Sequence, residues 1–212
     1  MIYVIMCGGY YEMFKTPKQF TEVNGERLVD RTIRLLRENG VTDIYVSATD
    51  ERFDSCGVPR LVHNNSFRVE NGIAYGYWLD AFYLDFPVGT KVTYLFGDVC
   101  FTEQAIRKIV NYKTDMNVLF GSGIARNKQH KNWGEPFAYL VSDYATFVDG
   151  VKTVKQMWDN GEVYRNPLVW ELYRYLNGLD INVQRVLDTT FVAIDDGTID
   201  IDGPEQITRL KS

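Results

Sequence analysis

The residues in this 212-residue chain best suited to chemistry are charged side chains that follow short apolar runs. Ile2-Tyr3-Val4-Ile5-Met6-Cys7 is rich in β-branched and aromatic residues and too short for a helix, so it reads as a buried strand closed by Gly8-Gly9. Glycines at the end of a first strand leave main-chain N–H groups open to a close-lying phosphate. Pro17-Lys18 follows: a residue that stiffens the loop, then a mobile ammonium able to return to the same anion. Val92-Thr93-Tyr94-Leu95-Phe96 is a second apolar run, and it ends in Gly97-Asp98. Ligands of open α/β sheets sit at the carboxyl ends of the strands. A carboxylate desolvated there is costly unless it meets a cation or a donor. Asp200-Ile201-Asp202 puts two more carboxylates on one face of an extended segment, because side chains repeat with period two. If that face meets Asp98, the result is an oxygen-lined site of the kind Mg²⁺ accepts together with phosphate oxygens. Each element also has a structural reading. The glycine pair can serve packing, Asp98 or Asp202 can cap a following helix, and Asp195, Asp196 and Asp200 can be turn residues.

The elements that must position these groups alternate along the first half. Leu28, Val29, Thr32, Ile33, Leu35 and Leu36 fall on one helical stripe, with Asp30, Arg31, Arg34 and Arg37 opposite, and Asn39-Gly40 stops the helix. Ile44-Tyr45-Val46-Ser47 is the next strand, so residues 2–47 read as one βαβ unit with a right-handed crossover. A short strand is expected near 60–63 and a helix over 69–83, whose aromatics are assigned to the core. The spacing further predicts a helix at 103–110 and a strand at 116–120 closed by Gly121-Ser122-Gly123. The second half opens with a polar loop at 124–135, then a strand at 137–141 and helices near 144–158 and 167–177. Short strands at 184–187 and 190–194 and a last helix opened by Gly203-Pro204 complete the reading. The alternation in the first half is that of an α/β protein with a mostly parallel sheet and helices on both faces. We treat residues 1–212 as a single domain, with a first half, 1–123, that holds the glycine turn, Lys18 and Asp98, and a second half, 124–212, that carries the C-terminal acidic motif.

Composition narrows the function classes. A formal charge of −5 argues against a nucleic-acid surface while leaving room for one nucleotide held by a few local cations. Cys7, Cys56 and Cys100 are odd in number and widely spaced, with no zinc or disulfide pattern, and His63 and His130 are too few for a metal cluster. No apolar run reaches membrane-spanning length and no leader-like segment opens the chain, so the expectation is a cytoplasmic protein with no membrane partner.

The order Gly8-Gly9, Pro17-Lys18-Gln19-Phe20, Asn24-Gly25, Gly97-Asp98 and Asp200-Ile201-Asp202-Gly203-Pro204-Glu205 resembles the nucleotidyltransferases that activate sugar phosphates or alcohol phosphates. The resemblance spans nearly the whole chain and is most specific over residues 1–46. It implies a Rossmann-like, mixed but mostly parallel central sheet with helices on both faces and a small antiparallel extension, a fold shared with one class of glycosyltransferases. It also implies a reaction in which an NTP and a small phosphorylated acceptor give an NDP-linked product and pyrophosphate, with 1–123 as the nucleotide-binding half and 124–212 as the acceptor-binding half. Carried over by motif, Gly8 and Gly9 hold the NTP through the main chain, and Lys18 sits against the α-phosphate as a catalytic residue. Asp98 and Asp202 hold Mg²⁺, with Asp200 as an alternate or added ligand. Such transfer needs positioning and neutralised charge more than covalent help, so the shortage of histidine is no objection. The loop Tyr10-Tyr11-Glu12-Met13-Phe14-Lys15-Thr16 departs from the family, which has a further glycine and an arginine before Pro-Lys; Lys15 is the candidate replacement. Arg126, Lys128 and Lys131 of the 124–135 loop are candidates for the acceptor phosphate, and Glu135, Asn64 and Asn71 for other contacts to acceptor or base. The Pro-Lys-Gln-Phe run resembles both CTP-using and GTP-using branches, and the compact length leans the expectation to CTP. A homodimer is compatible with the resemblance. The alternatives are a nucleotide-sugar glycosyltransferase, against which Asp98-Val99-Cys100 lacks a second acid, and a nucleotide-sensing domain without turnover, for which the altered loop speaks.

Overall fold

The computed structural model describes residues 1–12, 14, 16–63, 65–127, 134–203 and 206. Seven strands, numbered here in chain order, form the main sheet: β1 (Ile2–Met6), β2 (Ile44–Ser47), β3 (Arg60–Leu61), β4 (Val92–Phe96), β5 (Val118–Ser122), β6 (Pro136–Val141) and β7 (Phe191–Ile194). Their order is β7-β5-β6-β4-β1-β2-β3, and β6 alone runs against the others. β1 and β4 lie in the middle, covered on both faces, which is why both read as unbroken apolar runs rather than alternating ones.

Among the described residues, four α-helices cover the sheet: α1 (Leu28–Glu38), α2 (Glu103–Asn111), α3 (Tyr144–Asp159) and α4 (Val169–Leu176). Side-chain alternation assigns their faces. Tyr94 of β4 pairs with Tyr139 of β6, and both rings pack on Phe147 of α3, at 5.7 and 5.4 Å between centroids. Leu119 pairs with Tyr139 and with Phe191, and Phe191 carries Trp170 of α4 at 6.0 Å, so α3 and α4 share that face. Phe120 points the other way and meets Tyr112 at the end of α2, and α2 packs against α1. The helices thus divide two and two. The apolar stripe of α1 is buried as its spacing requires, and Gly40 ends it with φ of 79°. Thr102 caps α2 by accepting from the Ala105 N–H at 3.0 Å, so Asp98 is not that cap.

Two expectations fail. Residues 69–83 are not a helix: Arg68–Glu70 and Ile73–Tyr75 pair as an antiparallel hairpin, followed by a 3₁₀ turn at Trp78–Ala81. The cause is Asn71-Gly72, both at positive φ (51° and 74°), a two-residue hairpin turn that overrides the apolar spacing. Of the aromatics assigned there, Phe82 is buried and Trp78 packs against the core, while Tyr77 is half-buried with its hydroxyl donating to Asp159 at 2.6 Å. No strand forms at 184–187, because the Leu187 N–H donates to the Tyr173 hydroxyl at 2.9 Å instead of to a neighbouring strand. A smaller shift occurs in β5, where Gly121 and Ser122 belong to the strand rather than closing it. The last helix opened near Pro204 lies outside the described residues, apart from Gln206.

Candidate functional site

The site forms where β1 and β4 end side by side. The Gly97 N–H donates to the Met6 carbonyl at 3.0 Å. A Cβ on residue 97 would come within 2.5 Å of that oxygen and 2.8 Å of the Cys7 Sγ. Glycine at 97 therefore lets the end of β4 close against the start of the glycine loop, and Asp98 emerges next to it. Beyond Asp98 the chain pairs antiparallel with the C-terminal segment, Val99 opposite Asp200 and Cys100 opposite Ile199, and the Ile201 N–H donates to the Asp98 carbonyl at 3.1 Å. This short ladder places the far-apart acidic motifs together.

Lys18 arrives from the opposite side, on a 3₁₀ turn (Lys18–Phe20) that follows Pro17. It is only 7% exposed, and its Nζ donates to Asp98 Oδ2 at 2.9 Å and lies 3.9 Å from Asp202 Oδ1. One ammonium thus holds a carboxylate oxygen of each of these two distant aspartates. Asp200 lies under them. Its Oδ1 is buried with no hydrogen-bond partner, and burial, together with the charge of Asp98, pushes its carboxyl up to about 9. Glu135, exposed at the cavity's edge, is raised too, first by desolvation of its carboxyl and then by the charges of Asp202 and Asp98. Four acidic side chains therefore surround one ammonium. Among the described residues no three His, Cys, Asp or Glu side chains form a ready-made metal cage.

Lys18 stands between two cavities. The larger, of about 410 Å³, is lined by Gly9, Thr16, Pro17, Arg52, Phe53, Asn65 and Arg68 among others. The smaller, of about 230 Å³, holds Asp98, Asp200, Asp202 and Glu135 against an aromatic wall of Trp78, Phe96 and Trp170. Gly9 takes φ of 87°, and a Cβ on Gly8 would meet the Asn65 Nδ2 at 2.2 Å. Gly9 is thus required by the loop's own backbone, and Gly8 by the close approach of the Asn65 side chain unless that side chain moves.

The fold brings together Gly8, Gly9, Lys18, Asp98, Asp200, Asp202 and Glu135. It ties Arg126 elsewhere: its guanidinium pairs with Asp188 at 3.0 Å, donates to the Phe191 carbonyl at 3.1 Å and lies over the Phe191 ring. Asn71 sits in the exposed hairpin turn, where its N–H donates to Glu12 Oε1 at 2.9 Å. Lys15, Asn64, Lys128 and Lys131 lie outside the described residues. Asp195 accepts from the Gly123 N–H and Asp196 from the Thr102 hydroxyl, so both serve turns and caps. Sequence reasoning missed the cavity walls. Trp78 and Trp170 carry no motif, and Arg68 precedes the misread helix as an unassigned residue, though Asn71-Gly72 signals the hairpin it belongs to.

Across nearly its whole length the chain shares its fold with solved nucleotidyltransferases. A Bacillus anthracis protein assigned as a glucose-1-phosphate thymidylyltransferase superposes with a TM-score of 0.60 at 13% identity, covering 99% of this chain and 93% of that one. The 4-diphosphocytidyl-2C-methyl-D-erythritol synthase of Anaerococcus prevotii gives 0.56 at 12% identity, over 99% and 96%. A CMP:2-keto-3-deoxy-manno-octonic acid synthetase in complex with CTP gives 0.51 at 14%, over 99% and 96%. At such identities the likeness is one of fold. No protein-family model and no curated protein matches the chain. No described helix is long and apolar enough to cross a membrane.

Proposed function

We propose that this chain is a nucleotidyltransferase that moves NMP from an NTP to a small phosphorylated acceptor, a sugar phosphate or a related alcohol phosphate, with release of pyrophosphate. The observation that carries the reading is Lys18, buried and shared by Asp98 and Asp202 at the end of the central strands, beside the Gly8-Gly9 turn. The neighbours' names support the class of reaction, and two of the three name cytidine nucleotides, which makes CTP the first donor to test.

The larger cavity would take the nucleoside, with the triphosphate running past Gly9 toward Lys18. Main-chain N–H groups of the glycine turn would bind phosphate oxygens. Lys18 would exchange its contact with Asp98 for the α-phosphate and hold it in line for attack. The acceptor would occupy the smaller cavity against Trp78, Phe96 and Trp170, with its phosphate oxygen as the nucleophile. That oxygen is already ionised, so no side-chain base is needed. Bond formation to the α-phosphorus expels pyrophosphate, which carries away the electron pair of the broken bond.

The donor set fits magnesium: hard carboxylate oxygens, one of them on Asp200 buried and unpartnered, in a cluster with more acid than base. Asp98 and Asp202 would hold the ion with Asp200 in support, and when bound it supplies charge neutralisation at the phosphates. Magnesium commonly keeps only one or two carboxylates and fills its shell with phosphate and water, which accords with the lack of a ready-made cage.

The test is to incubate the protein with each NTP, Mg²⁺ and a panel of phosphorylated acceptors, and to measure pyrophosphate. Acceptor-dependent release is expected. NTP binding without release under every acceptor would leave a nucleotide-sensing domain, and transfer from a ready-made NDP-sugar would make it a glycosyltransferase; either result overturns the proposal.

A further inference from the structure

The loop between Gly9 and Pro17 contains no arginine, although a triphosphate carries more charge than Lys18 alone offsets. The structure supplies a second cation from another element. Tyr10-Tyr11, directly after the glycine turn, pairs in parallel with Arg68-Val69, and the Tyr10 N–H donates to the Phe67 carbonyl at 3.2 Å. The hairpin is thus stitched to the glycine loop in a fixed register. Arg68 lies opposite Tyr75 across that hairpin, its guanidinium 4.7 Å from the ring centroid, and it lines the larger cavity along with Gly9, Thr16 and Lys18. Stacking on an aromatic ring fixes the plane of the guanidinium while leaving its N–H fork available.

The other described cations of that cavity are engaged more firmly. Lys18 serves the carboxylate cluster, and Arg52 donates several hydrogen bonds to Asp50 two residues away. Arg68 shares one bond of 3.1 Å with Glu70, and both side chains are more than 40% exposed, the geometry of a weak pair that a phosphate can displace.

We propose that Arg68 is a phosphate-binding residue of the NTP site, taking the β- or γ-phosphate in place of an arginine in the glycine loop. This rests on the nucleotidyl-transfer reading. A guanidinium is suited to the task because its fork meets phosphate oxygens two at a time.

The experiment is isothermal titration of wild type, Arg68→Ala, Arg68→Gln and Lys15→Ala with CTP, UTP, GTP, ATP and dTTP in the presence of Mg²⁺. The nucleoside of whichever triphosphate binds is titrated alongside, and thermal melting checks that each variant is folded. Arg68→Ala and Arg68→Gln should both weaken triphosphate binding by about tenfold or more and leave the nucleoside unchanged. Equal triphosphate affinity in wild type and Arg68→Gln overturns the assignment alone. So does an equal loss for triphosphate and nucleoside, which would make Arg68 part of the cavity's shape only, or a loss in Lys15→Ala with none at Arg68. Absence of binding by the wild type to all five triphosphates overturns the nucleotidyl-transfer reading and the assignment with it.

Discussion

Replacing Asp200 by asparagine should stabilise the metal-free protein, and more so as the pH rises. The Asp200 carboxyl is buried beside Asp98 and titrates at about 9 in the fold, against roughly 4 in an unfolded chain. Between those values the folded state holds a proton that the unfolded state has released. Stability therefore falls with rising pH across that window, by about 1.4 kcal/mol per unit at most. From pH 4 to pH 7 this amounts to about 4 kcal/mol if Asp200 bears the whole effect; with Asp98 and Lys18 relaxing around it, about 2–4 kcal/mol is expected. Asparagine has the same shape and nothing to titrate. Urea denaturation of wild type and Asp200→Asn in EDTA, at steps from pH 5 to pH 8, reads the difference directly, and other titrating groups such as Glu135 cancel in it. The variant should be more stable throughout, with a gap that widens toward pH 8. Millimolar Mg²⁺ should narrow the gap by stabilising the wild type. A gap that is constant with pH, or a wild type more stable than the variant at pH 8 without metal, would refute the reasoning.

Three other substitutions have expected outcomes. Lys18→Ala removes the ammonium that Asp98 and Asp202 share; pyrophosphate release should fall by about a hundredfold or more, while the melting curve stays cooperative. Gly97→Ala presses a methyl group against the Met6 carbonyl and the Cys7 Sγ, and urea titration should read a loss of about 1–3 kcal/mol. Glu171→Ala takes away the carboxylate that the fully buried Arg174 and the half-exposed Arg165 share at 2.6 and 2.8 Å. A loss of about 3–5 kcal/mol is expected from denaturation, along with weakened acceptor binding, since Leu168 and Trp170 beside it line the smaller cavity.

The central sheet was legible because its buried strands carry unbroken β-branched and aromatic runs, and α1 because five apolar residues and Thr32 share one stripe. The acidic motifs were legible for a related reason: strand ends fix where Asp98 and Asp200 must emerge, and period two keeps Asp202 beside Asp200. Hairpin 68–75 was misread because its apolar residues, Val69, Ile73 and Ala74, happen to fit helical spacing, whereas the backbone answers to the Asn71-Gly72 turn. The failure at 184–187 has a different origin, since a tertiary bond from Leu187 to the Tyr173 hydroxyl cannot be read from local sequence. Arg126 shows the same limit. A basic loop residue suggested an acceptor phosphate, but Asp188 and the Phe191 carbonyl, 62 and 65 positions away, claim its guanidinium. The aromatic wall of the smaller cavity was invisible because Trp78 and Trp170 come from segments that meet only in the folded chain.

A crystal structure of the protein with Mg²⁺ and a non-hydrolysable analogue of whichever NTP binds tests the convergence of these groups most directly. The account predicts one magnesium with oxygens of Asp98 and Asp202 at about 2.0–2.1 Å, and the Lys18 Nζ turned from Asp98 onto the α-phosphate. A triphosphate bound away from Lys18, or a metal that touches neither aspartate, would contradict it.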